Sequence, residues 1–251
     1  MKTELPPDLS IRIKIIKELG YDLNDQTMIL DFGCGSGKKV KELRNLGYFA
    51  FGCGTRFNKE EGIDTELLLQ QGILRKINLE HYALPFEDNT FDFIFSESVF
   101  EHVKNYPESI SEISRVLKPD GICLHTFVPR YKPIEAHVMV PFASFIQSYW
   151  WLYLWVLLGI KNEWQDCHSV RERAARFYNY LKNETNYLTK RQLLSQFKLK
   201  FSKVIFCEDL FLKFSSGKRK YLYSLSRLLP FIPNLFSALQ MRVILTGMPA
   251  K

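Results

Sequence analysis

The sequence predicts an α/β fold: a mostly parallel sheet with helices on both faces. Three observations carry that prediction. Residues 29–37, Ile-Leu-Asp-Phe-Gly-Cys-Gly-Ser-Gly, join a short apolar strand to a glycine loop, and a helical stretch from Lys38 to Leu46 follows. Apolar strands then keep alternating with helix-period segments as far as residue 128, the pattern of repeated βα units. Apolar residues make up 46% of the 251 positions, enough to bury a sizeable core and too many for a disordered chain.

The elements follow in order. Leu9 to Leu19 is amphipathic and reads as a helix, and Met28 to Phe32 is the first strand. Val40, Leu43 and Leu46 recur at helical spacing, with Gly47 as a helix end. Tyr48 to Cys53 is the second strand, Thr65 to Gln71 a short helix, and Leu74 to Leu79 the third strand. Phe91 to Ser96 is a strongly apolar fourth strand. Ser109 to Leu117 reads as a helix stopped by a Pro119-Asp120-Gly121 turn, and Ile122 to Val128 as the fifth strand. The alternation breaks over 130–188, an apolar helical insert. It resumes with a capped helix, Thr189 to Phe197, a strand at Val204 to Leu210 and a last strand at Met241 to Thr246. Between these strands, 214–239 reads as a basic, apolar helical insert. The whole is expected to be one domain, 1–251, whose core cofactor-binding half is 28–128.

The glycine loop is the first chemical signal. A loop at the carboxyl end of a first strand, leading into a helix amino terminus, is where open α/β sheets bind nucleotide-like cofactors. Glycines let the backbone turn tightly and approach a ligand. The spacing here is Gly-x-Gly-x-Gly, which differs from the Gly-x-Gly-x-x-Gly of dinucleotide binders. A glycine turn without a ligand is the bland alternative.

Composition bounds the rest. Cysteines at 34, 53, 123, 167 and 207 form no Cys-x-x-Cys pair and are odd in number, which fits reduced thiols in a cytoplasmic protein. Met1 to Ser10 has acids and two prolines and lacks the apolar run of a secretory signal. The net charge is +7, and no acidic residue follows Asp209. The seven basic residues beyond it account for the whole excess, so the carboxyl-terminal end suits either an anionic partner or simple solvation.

Asp31 with Gly33, Gly35 and Gly37 resembles motif I of class I S-adenosylmethionine-dependent methyltransferases. Further blocks extend the likeness. Ala83-Leu84-Pro85-Phe86 with Phe91-Asp92, then Ser98-Val99-Phe100-Glu101-His102, then Glu112 through Gly121, are similar to the type 11 methyltransferase subgroup and occur in its order. The resemblance implies a Rossmann-like seven-stranded methyltransferase fold, five parallel strands plus an antiparallel closing pair, with S-adenosylmethionine as cofactor. It implies that Asp31 meets the methionine amino group, that Gly33, Cys34, Gly35 and Gly37 form the loop beneath it, and that Ser96 and Glu97 lie at the mouth of strand four. It also suggests Glu80, or Asn78, for the adenine.

One position departs from the family. An acid at the end of strand two should hold the ribose hydroxyls, and Gly54 stands there. A lost charge-assisted pair costs on the order of 2–4 kcal/mol of binding unless something replaces it. Glu60, Glu61 or Asp64 could take its place, binding could persist weakly, or catalysis could have been lost with the fold retained.

For an alcohol acceptor a base is needed. His102 and His125 are the candidates, each with a plain scaffold role as the alternative. Glu135 and His137 would have to join His125 to hold a metal, their spacing is not diagnostic, and no metal site is assigned. Val138 to Ile160 carries no charge and is long enough to span a bilayer. Strands on either side of it that share one sheet argue against a single span. An interfacial element aided by the basic end, a pocket cover and a subunit interface remain open. Residues 130–165 and 186–189 resemble a bacterial methyltransferase subgroup associated with surface-polysaccharide synthesis. The expected activity is therefore O-methylation of a small-molecule, sugar or lipid-linked glycan acceptor by a cytoplasmic enzyme, with peripheral contact to an anionic membrane left open. The alternatives are a non-catalytic scaffold at the membrane and a nucleic-acid methyltransferase. The second is weakened because no Asn-Pro-Pro-Tyr-like motif follows strand four.

Overall fold

The computed structural model describes residues 6–162 and 169–249; Cys167, Gln165, Lys251 and residues 1–5, which the sequence reading touched, lie outside them. Seven strands form one sheet: β1 (Met28–Phe32), β2 (Phe49–Gly54), β3 (Leu74–Lys76), β4 (Phe91–Glu97), β5 (Leu117–Phe127), β6 (Phe201–Phe206) and β7 (Arg242–Pro249). Their order is β3-β2-β1-β4-β5-β7-β6. The first five pair in parallel, and β7 runs antiparallel to both β5 and β6. This is the predicted five-plus-two architecture. The order reverses between β1 and β4, which puts the ligand crevice at the carboxyl ends of those two strands.

Period-two alternation builds the two faces. Ile29, Phe93, Phe95, Ile122, Leu124, Val243 and Leu245 join one buried cluster. Their neighbours Leu30, Ile94, Cys123 and Ile244 join another on the opposite face. The first cluster is covered by α1 (Pro7–Glu18), α2 (Lys38–Asn45), α3 (Thr65–Gln70), α8 (Glu208–Phe214) and α10 (Ile232–Leu239). The second is covered by α4 (Tyr106–Val116) and α7 (Lys190–Phe197). Near-continuous apolar runs such as Phe91–Phe95 are what a strand buried on both faces requires.

Two predicted elements change. The Pro119-Asp120-Gly121 turn is instead a bulge within β5: Phe91 pairs with Leu117, but Phe93 pairs with Ile122. Strand pairing resumes at once after α4, so the extra residues loop out without leaving the sheet. The strand expected at Val204 to Leu210 lies earlier, over Phe201–Phe206, and Glu208 begins α8. Glu208 is buried, accepts a hydrogen bond from Ser237 Oγ at 2.6 Å and sits in the first turn of the helix, where a carboxylate is favoured. An apolar run this short cannot distinguish strand from helix by periodicity.

Within the insert, α5 (Tyr149–Leu157) and α6 (Val170–Glu184) pack on each other around a third cluster that includes Val138, Leu152, Val156, Phe177 and Leu181. No helix among the described residues is long and apolar enough to cross a membrane. Helix α9 (Lys218–Ser226) precedes α10, and both lie between β6 and β7.

Candidate active site

The loop after β1 turns through three left-handed glycines: Gly33, Gly35 and Gly37 have φ of 82°, 56° and 84°. Gly33 N–H donates to the Cys53 carbonyl at 2.7 Å, tying the loop to β2. A Cβ on Gly33 would stand 2.3 Å from Val99 Cγ2, so the β4 loop packs directly on bare backbone. Two cavities flank this loop and share Gly33, Gly35, Asn58 and Ser98 as lining residues.

The first cavity, about 670 Å³, is lined by Asp31, Cys34, Ser36, Lys39, Glu60 and Glu97, among others. Asp31 is 4% exposed. Burial pushes its carboxyl up to about 7, against the pull of the Lys39 and Arg12 charges. Burial also pushes up the Cys34 thiol. Glu97 bonds Lys39 Nζ at 2.7 Å and Arg12 at 3.0 Å. Burial would raise its pKa, but these two cations outweigh burial and hold it below the usual carboxylate range. Arg12 also donates to Thr126 Oγ1 at 2.8 Å and pairs with Asp8 at 3.3 Å. Sequence reading missed Arg12 and Lys39: each looks like an ordinary polar position of an amphipathic helix, and only the packing of α1 and α2 beside β4 turns them inward.

The second cavity, about 610 Å³, lies beyond the ends of β2, β3 and β4. Gly54, Thr55, Ile77, Leu79, Tyr82 and His102 line it. Glu80, expected to meet the adenine, is exposed and is not among the lining residues, and Asn78 instead accepts a hydrogen bond from the Glu80 amide at 2.8 Å. Ile77, Leu79 and the ring of Tyr82 line this part of the cavity instead. Ser96 also departs from expectation. It is fully buried, hydrogen-bonded to His125 Nδ1 at 2.8 Å, and absent from both linings; Ser98 reaches them both.

At the strand-two position, a Cβ added to Gly54 would stand 3.3 Å from the Arg56 carbonyl, a tight contact that the backbone must yield slightly to accept. The three acids considered as replacements lie elsewhere. Glu60 accepts from Lys38 Nζ at 2.8 Å and Ser36 Oγ at 2.5 Å, and these bonds hold its carboxyl below the ordinary range. It lines the first cavity. Asp64 caps α3 by accepting from the Leu67 amide at 3.0 Å, and Glu61 lines a separate groove with it.

The two candidate histidines part company. His125 is fully buried, packed against Phe100 and Phe197, and burial lowers its pKa to about 3. It lines neither cavity, so the expected strand-five base is a neutral core residue. It also stands apart from Glu135 and His137, and among the described residues no group of three or more His, Cys, Asp or Glu is arranged to hold a metal. His102 lines the second cavity. Its Nδ1 lies 2.7 Å from the Glu184 carbonyl. A carbonyl oxygen only accepts, so Nδ1 carries the proton and Nε2 is left as the basic nitrogen. Burial lowers its pKa, which keeps the ring neutral at pH 7.

The His102 loop is stitched to the end of α6. Lys104 Nζ donates to the Lys182 and Thr185 carbonyls, and Asn186 donates to Glu101 O and Val103 O at 2.6 and 2.8 Å. Behind His102 stands His137, with ring centroids 4.9 Å apart. His137 Nδ1 bonds Glu135 Oε1 at 2.7 Å, and Tyr187 donates a short hydrogen bond to the same oxygen. Burial alone would lower the His137 pKa, but the bond and charge of Glu135 outweigh it and raise it.

Comparison with known proteins agrees with this geometry. Residues 30–125 match the family model described as a methyltransferase domain. Glycine/sarcosine/dimethylglycine N-methyltransferase of Actinopolyspora halophila is 33% identical over 115 residues, 42% of this chain and 19% of that protein. The chain spans half or less of the length of the curated relatives it matches. Among solved structures, phosphoethanolamine N-methyltransferase 2 of Haemonchus contortus aligns with a TM-score of 0.52 at 15% identity, over 97% of this chain and 53% of that one. An S-adenosylmethionine-dependent methyltransferase from Mesorhizobium loti aligns with a TM-score of 0.51 at 12% identity, over 96% and 99%. At these identities the structural likeness concerns the fold. Set in this strand order and around this glycine loop, residues 30–125 match a methyltransferase domain, and the five-plus-two sheet is the Rossmann-like fold of the solved methyltransferases.

Proposed function

We propose that the chain transfers a methyl group from S-adenosylmethionine to a hydroxyl of a small molecule, sugar or lipid-linked glycan. The residues present suit the cofactor. Asp31 offers a buried carboxylate to an ammonium group, Gly33 and Gly35 leave bare backbone for close approach, and the Ile77, Leu79 and Tyr82 recess suits an adenine. Bound S-adenosylmethionine would supply an electrophilic methyl on a sulfonium centre, so positioning supplies much of the catalysis.

The observation that carries the hydroxyl acceptor is His102. It is a neutral imidazole fixed by the Glu184 carbonyl, and its basic nitrogen is free to take the proton that an alcohol loses. The glycan class rests on the likeness of residues 130–165 and 186–189 to polysaccharide-associated methyltransferases. Peripheral contact with an anionic membrane would bring lipid-linked acceptors to the cavities. The basic carboxyl-terminal segment supports it.

Calorimetric titration with S-adenosylmethionine and S-adenosylhomocysteine tests the reading. Both should bind, and Gly54→Asp should tighten both by about tenfold or more, because it restores a charged ribose partner once the Arg56 carbonyl yields slightly to the new Cβ. Transfer of labelled methyl to hydroxylated acceptors should then fall at least about a hundredfold in His102→Gln, with cofactor affinity unchanged. Absence of binding by either ligand at millimolar concentration would sink the enzyme and leave the scaffold.

A further inference from the structure

We infer that the α9–α10 hairpin, residues 217–239, docks the protein on an anionic phospholipid surface. Its inner side is accounted for. Leu222 and Tyr223 of α9 and Ile232 and Phe236 of α10 pack into the core beside α8. Its outer side is apolar and bare. Tyr221 is 77% exposed, Leu228 78% and Phe231 58%, with Leu225, Leu229 and Leu235 also exposed. Tyr221 and Leu225 share one face of α9 by their i, i+4 spacing. The strip runs on into the Arg227-Leu228-Leu229-Pro230-Phe231 tip, where Leu228, Leu229 and Phe231 are exposed.

Charge selects the occupant. Lys218, Lys220 and Arg227 are exposed beside this strip, and no acidic residue occurs anywhere after Asp209. Cations bordering an apolar face, with aromatic and leucine side chains between them, match an anionic bilayer: the rings and leucines enter the headgroup boundary, and the basic groups stay at phosphate level. A second copy of the chain is a poor fit, because an isologous contact through this face would set the same three cations against themselves. Helices of nine and eight residues are too short to span and suit lying in the interface.

Docking would serve the proposed activity because the hairpin borders the ligand end of the sheet. Lys218 and Arg219 line a cavity of about 450 Å³ together with Asp8, Arg12 and Glu97, and Asp8 and Glu97 also line the first cavity of the candidate active site. A lipid-linked acceptor lying in the bilayer would thus be presented beside the site. Only this purpose depends on the methyltransferase reading; the docking itself is measured without it.

Flotation of the full chain with vesicles tests the inference, using phosphatidylcholine alone and phosphatidylcholine mixed with phosphatidylglycerol. The protein should float with the anionic vesicles, weakly with the neutral ones, and less as salt rises. Leu228→Glu/Phe231→Glu should reduce flotation at least about tenfold, and Lys220→Glu/Arg227→Glu should abolish the preference for phosphatidylglycerol. All four side chains are exposed, and circular dichroism and cofactor titration would report an intact fold. Trp150→Glu/Leu157→Glu on α5 should float like the parent. The inference is overturned if the parent does not float, if the hairpin variants float unchanged, or if the α5 variant alone loses binding. It is also overturned if light scattering shows self-association that the hairpin substitutions remove while vesicles are ignored. Flotation without any cofactor binding would leave the docking intact and defeat only the proposed enzyme.

Discussion

At the scale of single residues, Asp31 and Gly33 show how the glycine loop works. Asp31 is kept near its titration point by burial that opposes two nearby cations. A carboxyl whose pKa is raised from 3.8 to about 7 holds its proton longer in the folded protein than in the unfolded one, so its contribution to stability falls as pH rises through that window. A cationic ligand group beside it favours the ionised form. Cofactor binding near pH 6.5 should therefore release a proton and strengthen as pH rises through about 7. Calorimetry in two buffers of different ionisation enthalpy measures this; proton uptake would contradict it. Gly33→Ala should abolish cofactor binding and cost about 1–3 kcal/mol of stability, because its methyl would enter the Val99 side chain at a backbone angle alanine avoids. Adding Val99→Ala should return part of the stability in urea denaturation and less of the binding. The loop was legible as a motif because its chemistry is local. The departure at Gly54 was legible only against the family pattern that the neighbouring motifs resemble. That Glu60 is engaged by Lys38 and Ser36 was not, since no sequence spacing reports which side chains meet across a loop.

At the scale of elements, the most recognisable blocks outside the loop prove to be joints. Arg115 donates five hydrogen bonds: two to Glu112, one to Asp88 and one each to the Leu84 and Phe86 carbonyls. Glu112 in turn accepts from the Leu84 amide at 2.8 Å. The Leu84-Pro85-Phe86 segment is thereby clamped to α4, just beyond Tyr82 of the second cavity. Asp92 works similarly at the start of β4, accepting from the Met28 amide at 2.9 Å and Lys118 Nζ at 2.8 Å. Arg115→Ala should destabilise the protein by about 2–3 kcal/mol in urea titration, and Arg115→Lys should recover less than half of that, because an ammonium cannot reproduce the planar fork. A shift within about 0.5 kcal/mol would show the clamp to be dispensable. The helix at Lys190–Phe197 was predicted with its cap because Thr189 and Gln192 form a capping box, a signal contained within four residues. The β5 bulge was misread as a turn because proline and glycine mark any interruption, and only the register with β4 shows that the strand continues.

At the scale of the whole molecule, the sheet order brings residues 31, 54, 77 and 102 to one edge, and helices at opposite ends of the chain complete the crevice. Ligand linkage should register across this unit. Cofactor at about 100 times its dissociation constant should stabilise the fold by about 2.7 kcal/mol and raise the melting temperature by several degrees, whereas Gly33→Ala should show no shift. The sequence by itself determined the fold class, the five-plus-two sheet and the glycine loop. Strands, turns and caps are dictated by alternation and by chemistry a few residues apart. Tertiary structure alone decided which polar groups face the crevice. It buried His125 and Ser96 in the core, left His102 with a free nitrogen, turned Arg12 and Lys39 onto Glu97, and left the α9–α10 strip uncovered. Those outcomes depend on which elements pack against which, and residues on elements far apart in the chain carry no local signal of the neighbours they will meet.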